Sequence, residues 1–201
     1  MNTYILKIYL PVFLVLYLLV SFVIPTYRTY KQTGINPITF GKNDTAHDYI
    51  GFVMKVLIAL LFVAVILFSF GPKLYLFTSP ILFLESKPLQ VIGLILAHVS
   101  LIWIAIAQYQ MSNSWRIGID EINTTELKTK GIFSISRNPI FLGMIITVTG
   151  VFFIIPNAIT FFTALGSYII IQIQIRLEEQ FLKTTHGEKY LKYKQKTKRL
   201  L

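Results

Sequence analysis

Two groups of residues in the C-terminal third could do chemistry. Arg137-Asn138-Pro139 ends a polar segment, LKTKGIFSISRNP (127–139), and Glu178-Glu179 lies in RLEEQFLKTTHGEKYLKY (176–193). The apolar stretch between them can fold as a hairpin, bringing an arginine and two carboxylates to one face of a membrane. Polar groups there are expensive unless they bind something. Pro139 suits a first-turn position, with a preset φ and no N–H to leave unpaired, which puts Asn138 near the N-cap. Free N–H groups and the helix dipole at such a start favour an anionic group such as a ligand carboxylate. An arginine orients an anion bidentately, and carboxylates suit a cationic ligand or take a proton from an amine. The plainer alternative is that Arg137 anchors the chain at the interface and the glutamates balance the basic tail.

Other chemistries lack their residues. The chain has no cysteine, so disulfides, thiolate metal sites and a cysteine nucleophile are excluded. It carries no nucleophile elbow, P-loop or HExxH. His47, His98 and His186 are scattered, so no metal is expected. Asp44, His47 and Asp48 read as polar residues at a helix start.

The elements that must position these groups are membrane helices. Of 201 residues, 54% are hydrophobic, and the mean hydropathy is +0.63. The pattern predicts an all-α integral membrane protein with about five transmembrane helices, near 4–24, 49–70, 89–109, 140–155 and 158–175, and a cytoplasmic C-terminal amphipathic helix. The last two spans join at Pro156-Asn157. The first reads as an uncleaved anchor, because it lacks a small-residue cleavage pattern. A shorter piece, 74–84, is broken at Ser79-Pro80 and is expected to lie at the interface or re-enter.

The net charge of +10 is a topology signal, not one for nucleic acid. Arg176, Lys183, Lys189, Lys192, Lys194, Lys196, Lys198 and Arg199 put the tail in the cytoplasm. Loops 25–48 and 110–137 then fall on the same side with Arg28, Lys31, Lys42, Arg116, Lys128, Lys130 and Arg137. The outer connections carry only Lys73 and Lys87. Six spans would instead put both termini on one side.

No internal repeat or linker divides the chain. A single membrane domain, 1–201, is expected, with three spans in 1–109 and the motif region in 110–201. His98 is either buried against a neighbouring helix or part of a substrate pocket. Gln108 and Gln110 face a polar site or the interface. Trp115 reads as an interfacial anchor, and Arg116 could pair with Asp120 or touch a ligand. Gly187 is expected to interrupt the tail helix. Beyond it, Tyr190, Leu191 and Tyr193 interleave with lysines, as in a basic segment lying on an anionic leaflet or a solvated helix.

Taken in order, SWRIGID (114–120), ELKTKGIF (126–133), RNPIFLG (137–143) and RLEEQFLKTTHGEKYLKY (176–193) resemble the isoprenylcysteine carboxyl methyltransferase family, especially its bacterial members, a group related to the phospholipid N-methyltransferases. The resemblance implies an enzyme using S-adenosylmethionine, with the active site on the cytoplasmic side of the membrane (the inner membrane in a bacterium). It implies a lipidic or prenylated acceptor arriving laterally from the bilayer, and membrane lipids as partners. By position it implies that Glu126, Leu127, Lys128, Phe133, Asn138, Pro139, Ile140, Phe141 and Glu178 line the cofactor pocket. Arg137, Glu178 and Glu179 are the charged catalytic members of the motif, and Arg176 would face the acceptor. Asn138 stands where eukaryotic members have histidine, Phe133 and Phe141 where tyrosine is frequent, and His186 where phenylalanine precedes the tail glycine. Carboxyl O-methylation is the chemistry of the named family. Phospholipid amine N-methylation, and a non-catalytic protein keeping the fold, are the alternatives.

Overall fold

Local capping chemistry sets where the helices begin. A computed structural model describes residues 3–40, 45–119 and 126–201. Helix α1, Thr3–Leu18, runs through a π-helical turn, Leu19–Val23, into α2, Ile24–Thr33. Pro25 has no N–H to give to Ser21 O four residues back. Gln108 Nε2 donates to that carbonyl instead, at 2.9 Å. Gly34, at φ +70°, ends α2 in the left-handed conformation that favours glycine.

Helix α3, Ala46–Phe70, is capped by Thr45, whose hydroxyl accepts from Asp48 N. After a short α4, Pro72–Tyr75, the chain makes two 3₁₀ turns and enters α5, Lys87–Met111, capped by Ser86. Pro139 opens α6, Pro139–Ile154. Asn157 and Thr160 form a reciprocal capping box at the start of α7, Ala158–Lys196, so α6 and α7 turn tightly at Pro156-Asn157.

The protein is an all-α integral membrane protein. Four helical stretches, Thr3–Thr33, Ala46–Phe70, Lys87–Met111 and Ala158–Lys196, are long and apolar enough to cross a bilayer. The fourth apolar run of the sequence becomes α6, with only 16 residues. At 1.5 Å per residue that is about 24 Å, short of the roughly 30 Å hydrocarbon core. Ten of those residues are buried, so protein surrounds this helix.

Helix α6 lies closest to α5. A Cβ on Gly93 would come within 2.5 Å of Gly150 O, and one on Gly143 within 2.4 Å of an Ile104 side-chain carbon. Small residues let the two backbones approach. Ser100 and Thr147 hydroxyls bond at 2.8 Å across this seam, and Trp103 Nε1 donates to Pro139 O at 2.9 Å.

The broken piece at 74–84 forms short turns and no spanning helix. It folds onto the α6–α7 turn through Ile81 N to Pro156 O at 2.9 Å and Ala158 N to Ser79 O at 3.2 Å. Phe77 and Phe83 remain exposed.

Candidate active site

Two lobes with a partly shared lining adjoin where α6 begins. The first is apolar and runs between helices. Phe22, Phe40, Met54, Trp115, Ile140, Phe141 and Met144 line it, along with Arg116, Pro139 and Gln174. The second faces the tail and is lined by Ser114, Glu126, Leu127, Lys128, Leu182, Tyr190 and Tyr193. Each encloses about 90 Å³. Met111, Phe133, Arg137, Asn138 and Glu178 line both. An open cleft of about 480 Å³ adjoins the second lobe, sharing Glu126, Leu127, Lys128 and Phe133 with it.

The backbone around the lobes is held by specific bonds. Gly131, at φ +63°, turns the chain tightly against Gln110, whose Oε1 accepts from Ile132 N at 2.8 Å. A 3₁₀ turn, Gly131–Ser134, then carries Phe133 inward. On the other side, Thr39 N donates to Ile117 O and Ile117 N to Pro37 O, at 3.1 and 2.8 Å. This pairing places Phe40 on the apolar lobe. His47 stacks on Phe40, and its Nε2 accepts from Ile119 N at 3.0 Å.

Asn138 occupies the N-cap position of α6 without capping it. Its Nδ2 donates to Arg199 O at 3.0 Å. Arg137 and Glu179 are both buried and paired, Nη2 to Oε1 at 2.6 Å. Arg199 Nη2 reaches Glu179 Oε2 at 2.8 Å. Arg137 Nη1 donates to the carbonyls of Lys194 and Thr197. Arg137 N donates to Lys198 O at 3.0 Å, and Tyr193 Oη to Phe133 O at 2.5 Å.

These bonds correct the reading of the tail. Gly187 does break the helix, at φ +49° and ψ −127°. Beyond it, Tyr190 and Tyr193 turn inward, burying themselves against Leu127 and Leu182, while the lysines, Glu188 and Gln195 face out. The aromatic face of the segment thus forms a wall of the second lobe.

Most of the residues singled out in the sequence converge. Glu126, Leu127, Lys128, Phe133, Asn138 and Glu178 share the second lobe with Arg137. Pro139, Ile140 and Phe141 line the first. Glu179 lines neither, because its carboxylate is occupied by two guanidinium groups. Arg176 also lies outside both; it is exposed, and its Nη1 donates to Gln172 O and Oε1 one turn back. His98 is neither buried nor at a pocket. It lies on the outer face of α5 with Nδ1 on Leu94 O at 2.8 Å and Nε2 on Tyr9 Oη at 3.3 Å. Trp115 is buried, with Nε1 on Thr26 Oγ1, and is no interfacial anchor. Asp44 and Asp120 lie outside the described residues.

Sequence reasoning missed Gln174. It is buried one turn before Glu178, and its Nε2 donates to Glu178 Oε1 at 2.8 Å. A glutamine four residues from a glutamate on one helix was the available signal.

Glu126 lies outside the spans. The hydrogen bond from Lys128 Nζ at 2.6 Å, and then that ammonium's charge, hold its carboxyl below the usual range. Among the described residues no cluster of metal-ligating side chains occurs.

Comparison with curated proteins finds no match. The sequence pattern of one family, phospholipid methyltransferase, matches residues 89–189. That range is half of the chain. It takes in α5, α6 and most of α7, and with them Glu126 to Phe141, Gln174 and Glu178. The match is to this broader family and not to the isoprenylcysteine branch in particular. The chain belongs to the phospholipid methyltransferase family, membrane enzymes that methylate lipid-like substrates.

Proposed function

We propose that the protein transfers the methyl group of S-adenosylmethionine to a lipidic acceptor, with the cofactor in the tail-side lobe and the acceptor in the apolar lobe. The observation that carries this reading is the meeting of two chemically different lobes at Phe133, Asn138 and Glu178.

The tail-side residues fit the cofactor. Glu126 and Glu178 offer carboxylates to a cationic sulfonium and an amino group. Leu127, Phe133 and Leu182 offer apolar surface to a ring. Tyr190 Oη, buried without a hydrogen-bond partner in the structure, offers a donor. The cleft beside Glu126–Lys128 gives room beyond the lobe itself. When bound, the cofactor supplies an electrophilic methyl group. The chain's own contribution is alignment and dryness. Phe22, Phe40, Met54 and Met144 hold an apolar chain, and Phe133 and Phe141 exclude water. Glu178 sets negative charge between the lobes.

Arg137, Glu179 and Arg199 act in this reading as the clamp that seats the tail over the cofactor lobe. Arg176 has no place at the reacting atoms. The basic tail and loops support a site on the cytoplasmic face. The family resemblance supports a carboxyl oxygen as acceptor atom, and the broader family match supports a phospholipid amine.

Calorimetry of S-adenosylmethionine against detergent-purified protein tests the reading, wild type beside Glu178→Ala. Saturable binding that weakens at least about tenfold in the variant is expected, the size of one lost charge-assisted contact. A well-folded wild type that binds no cofactor would overturn it.

A further inference from the structure

We propose that Gln174 selects the methyl acceptor: its side-chain carbonyl receives a hydrogen bond from an acceptor head group that carries an N–H or O–H. The proposal rests on the assignment of the apolar lobe to the acceptor.

Gln174 is 1% exposed and lines the apolar lobe but not the tail-side one. Its Nε2 donates to Glu178 Oε1 at 2.8 Å. In the structure the amide nitrogen faces this carboxyl group and the side-chain carbonyl oxygen turns away from it. That oxygen is buried and has no hydrogen-bond partner. Buried acceptors are almost always satisfied, and no side chain of this lobe donates to it in the structure. The missing donor therefore belongs to what the lobe binds.

The charges around the lobe agree. Glu178 accepts from Gln174 Nε2. Arg137 spends its guanidinium on Glu179 and on the carbonyls of Lys194 and Thr197. Arg116 Nη1 donates to Trp115 O. A bare carboxylate head would meet two acceptor groups on α7 at once. A head with an N–H or O–H meets both favourably.

The test uses long-chain probes in detergent: a primary amine, a primary alcohol and a carboxylic acid of equal chain length. Each is titrated by calorimetry into wild type and Gln174→Met, with S-adenosylmethionine present and its own binding measured first. Methionine keeps the length of glutamine and removes the carbonyl. Wild type is expected to prefer amine or alcohol over acid. The variant is expected to lose about tenfold or more of that preference, read as the ratio of amine or alcohol affinity to acid affinity at saturating cofactor, because cofactor binding itself shifts when Glu178 loses its Nε2 donor. A merely structural role would weaken all three probes alike, leave the ratio unchanged, and would overturn the proposal. So would preference of wild type for the acid, or binding of cofactor with none of the probes. Absence of cofactor binding in wild type would instead sink the methyltransferase reading on which the proposal rests.

Discussion

Arg137, at the start of α6, and Glu179, in the second half of α7, form a buried ion pair at 2.6 Å, and Arg199 completes it from the tail. Breaking a buried pair by removing one partner leaves an uncompensated charge, typically worth about 3–5 kcal/mol. Glu179→Gln is therefore expected to lower the unfolding temperature sharply and to expose Lys189–Lys196 to trypsin. Arg199 is about a third exposed and so screened by water. Arg199→Ala should cost about 1 kcal/mol. Thermal unfolding in detergent compares the two.

Tyr193→Phe removes the hydroxyl that donates to Phe133 O. The orphaned carbonyl lies under the tail, at a cost of about 1–3 kcal/mol. Cofactor affinity should fall by about tenfold, because Phe133 lines both lobes. Calorimetry reads this directly, and circular dichroism should show unchanged helix content.

Helix α6 depends on close approach to α5. Gly93→Ala would drive a methyl group to 2.5 Å from Gly150 O, which is backbone and cannot step aside. The variant is expected to be aggregated or poorly inserted, by a penalty of about 1–3 kcal/mol or more. At Gly166 a methyl group would meet Leu57 Cδ2, the end of a flexible side chain, at 3.0 Å. Gly166→Ala should purify like wild type. Size-exclusion profiles of the two variants separate these outcomes.

Glu126 should stay ionised across neutral pH. Its folded-state value lies below its unfolded one, so the stabilisation from Lys128 is present above the unfolded value, about pH 4.3, and disappears as pH falls through the folded one. An acid limb of cofactor binding that survives Lys128→Ala unchanged would assign that limb to a different group. A limb that moves upward in the variant would assign it to Glu126.

The helical bundle was legible because a bilayer forces long apolar runs, and 49–70 and 89–109 fall within α3 and α5. Convergence of 126–141 with Glu178 was legible from motif order. The fold of the tail was not. Alternating tyrosine and lysine reads the same whether the aromatic face meets lipid or protein, and the deciding bonds join residues some sixty positions apart, such as Tyr193 and Phe133. Gln174 was hidden for a similar reason. In IIIQIQIR it alternates with isoleucine, and only the structure separates it from Gln172, which bonds outward to Arg176. His98 misled because polar residues in spans usually face inward, whereas this one finds its partners on its own turn and on Tyr9.

The shortness of α6 has an energetic consequence for turnover. Its 16 residues end at the Pro156-Asn157 turn, and its first residue, Pro139, is met by Trp103, eight residues before the end of α5. The meeting point of the lobes is thereby recessed below the end of α5. Pulling a lipid out of a bilayer costs about 0.8 kcal/mol per methylene transferred to water, which for a long acyl chain would dominate any catalytic gain. A recessed site lets the tail of the acceptor stay dissolved in the membrane while only its head moves. Turnover should then follow the acceptor's mole fraction in the bilayer instead of its concentration in water.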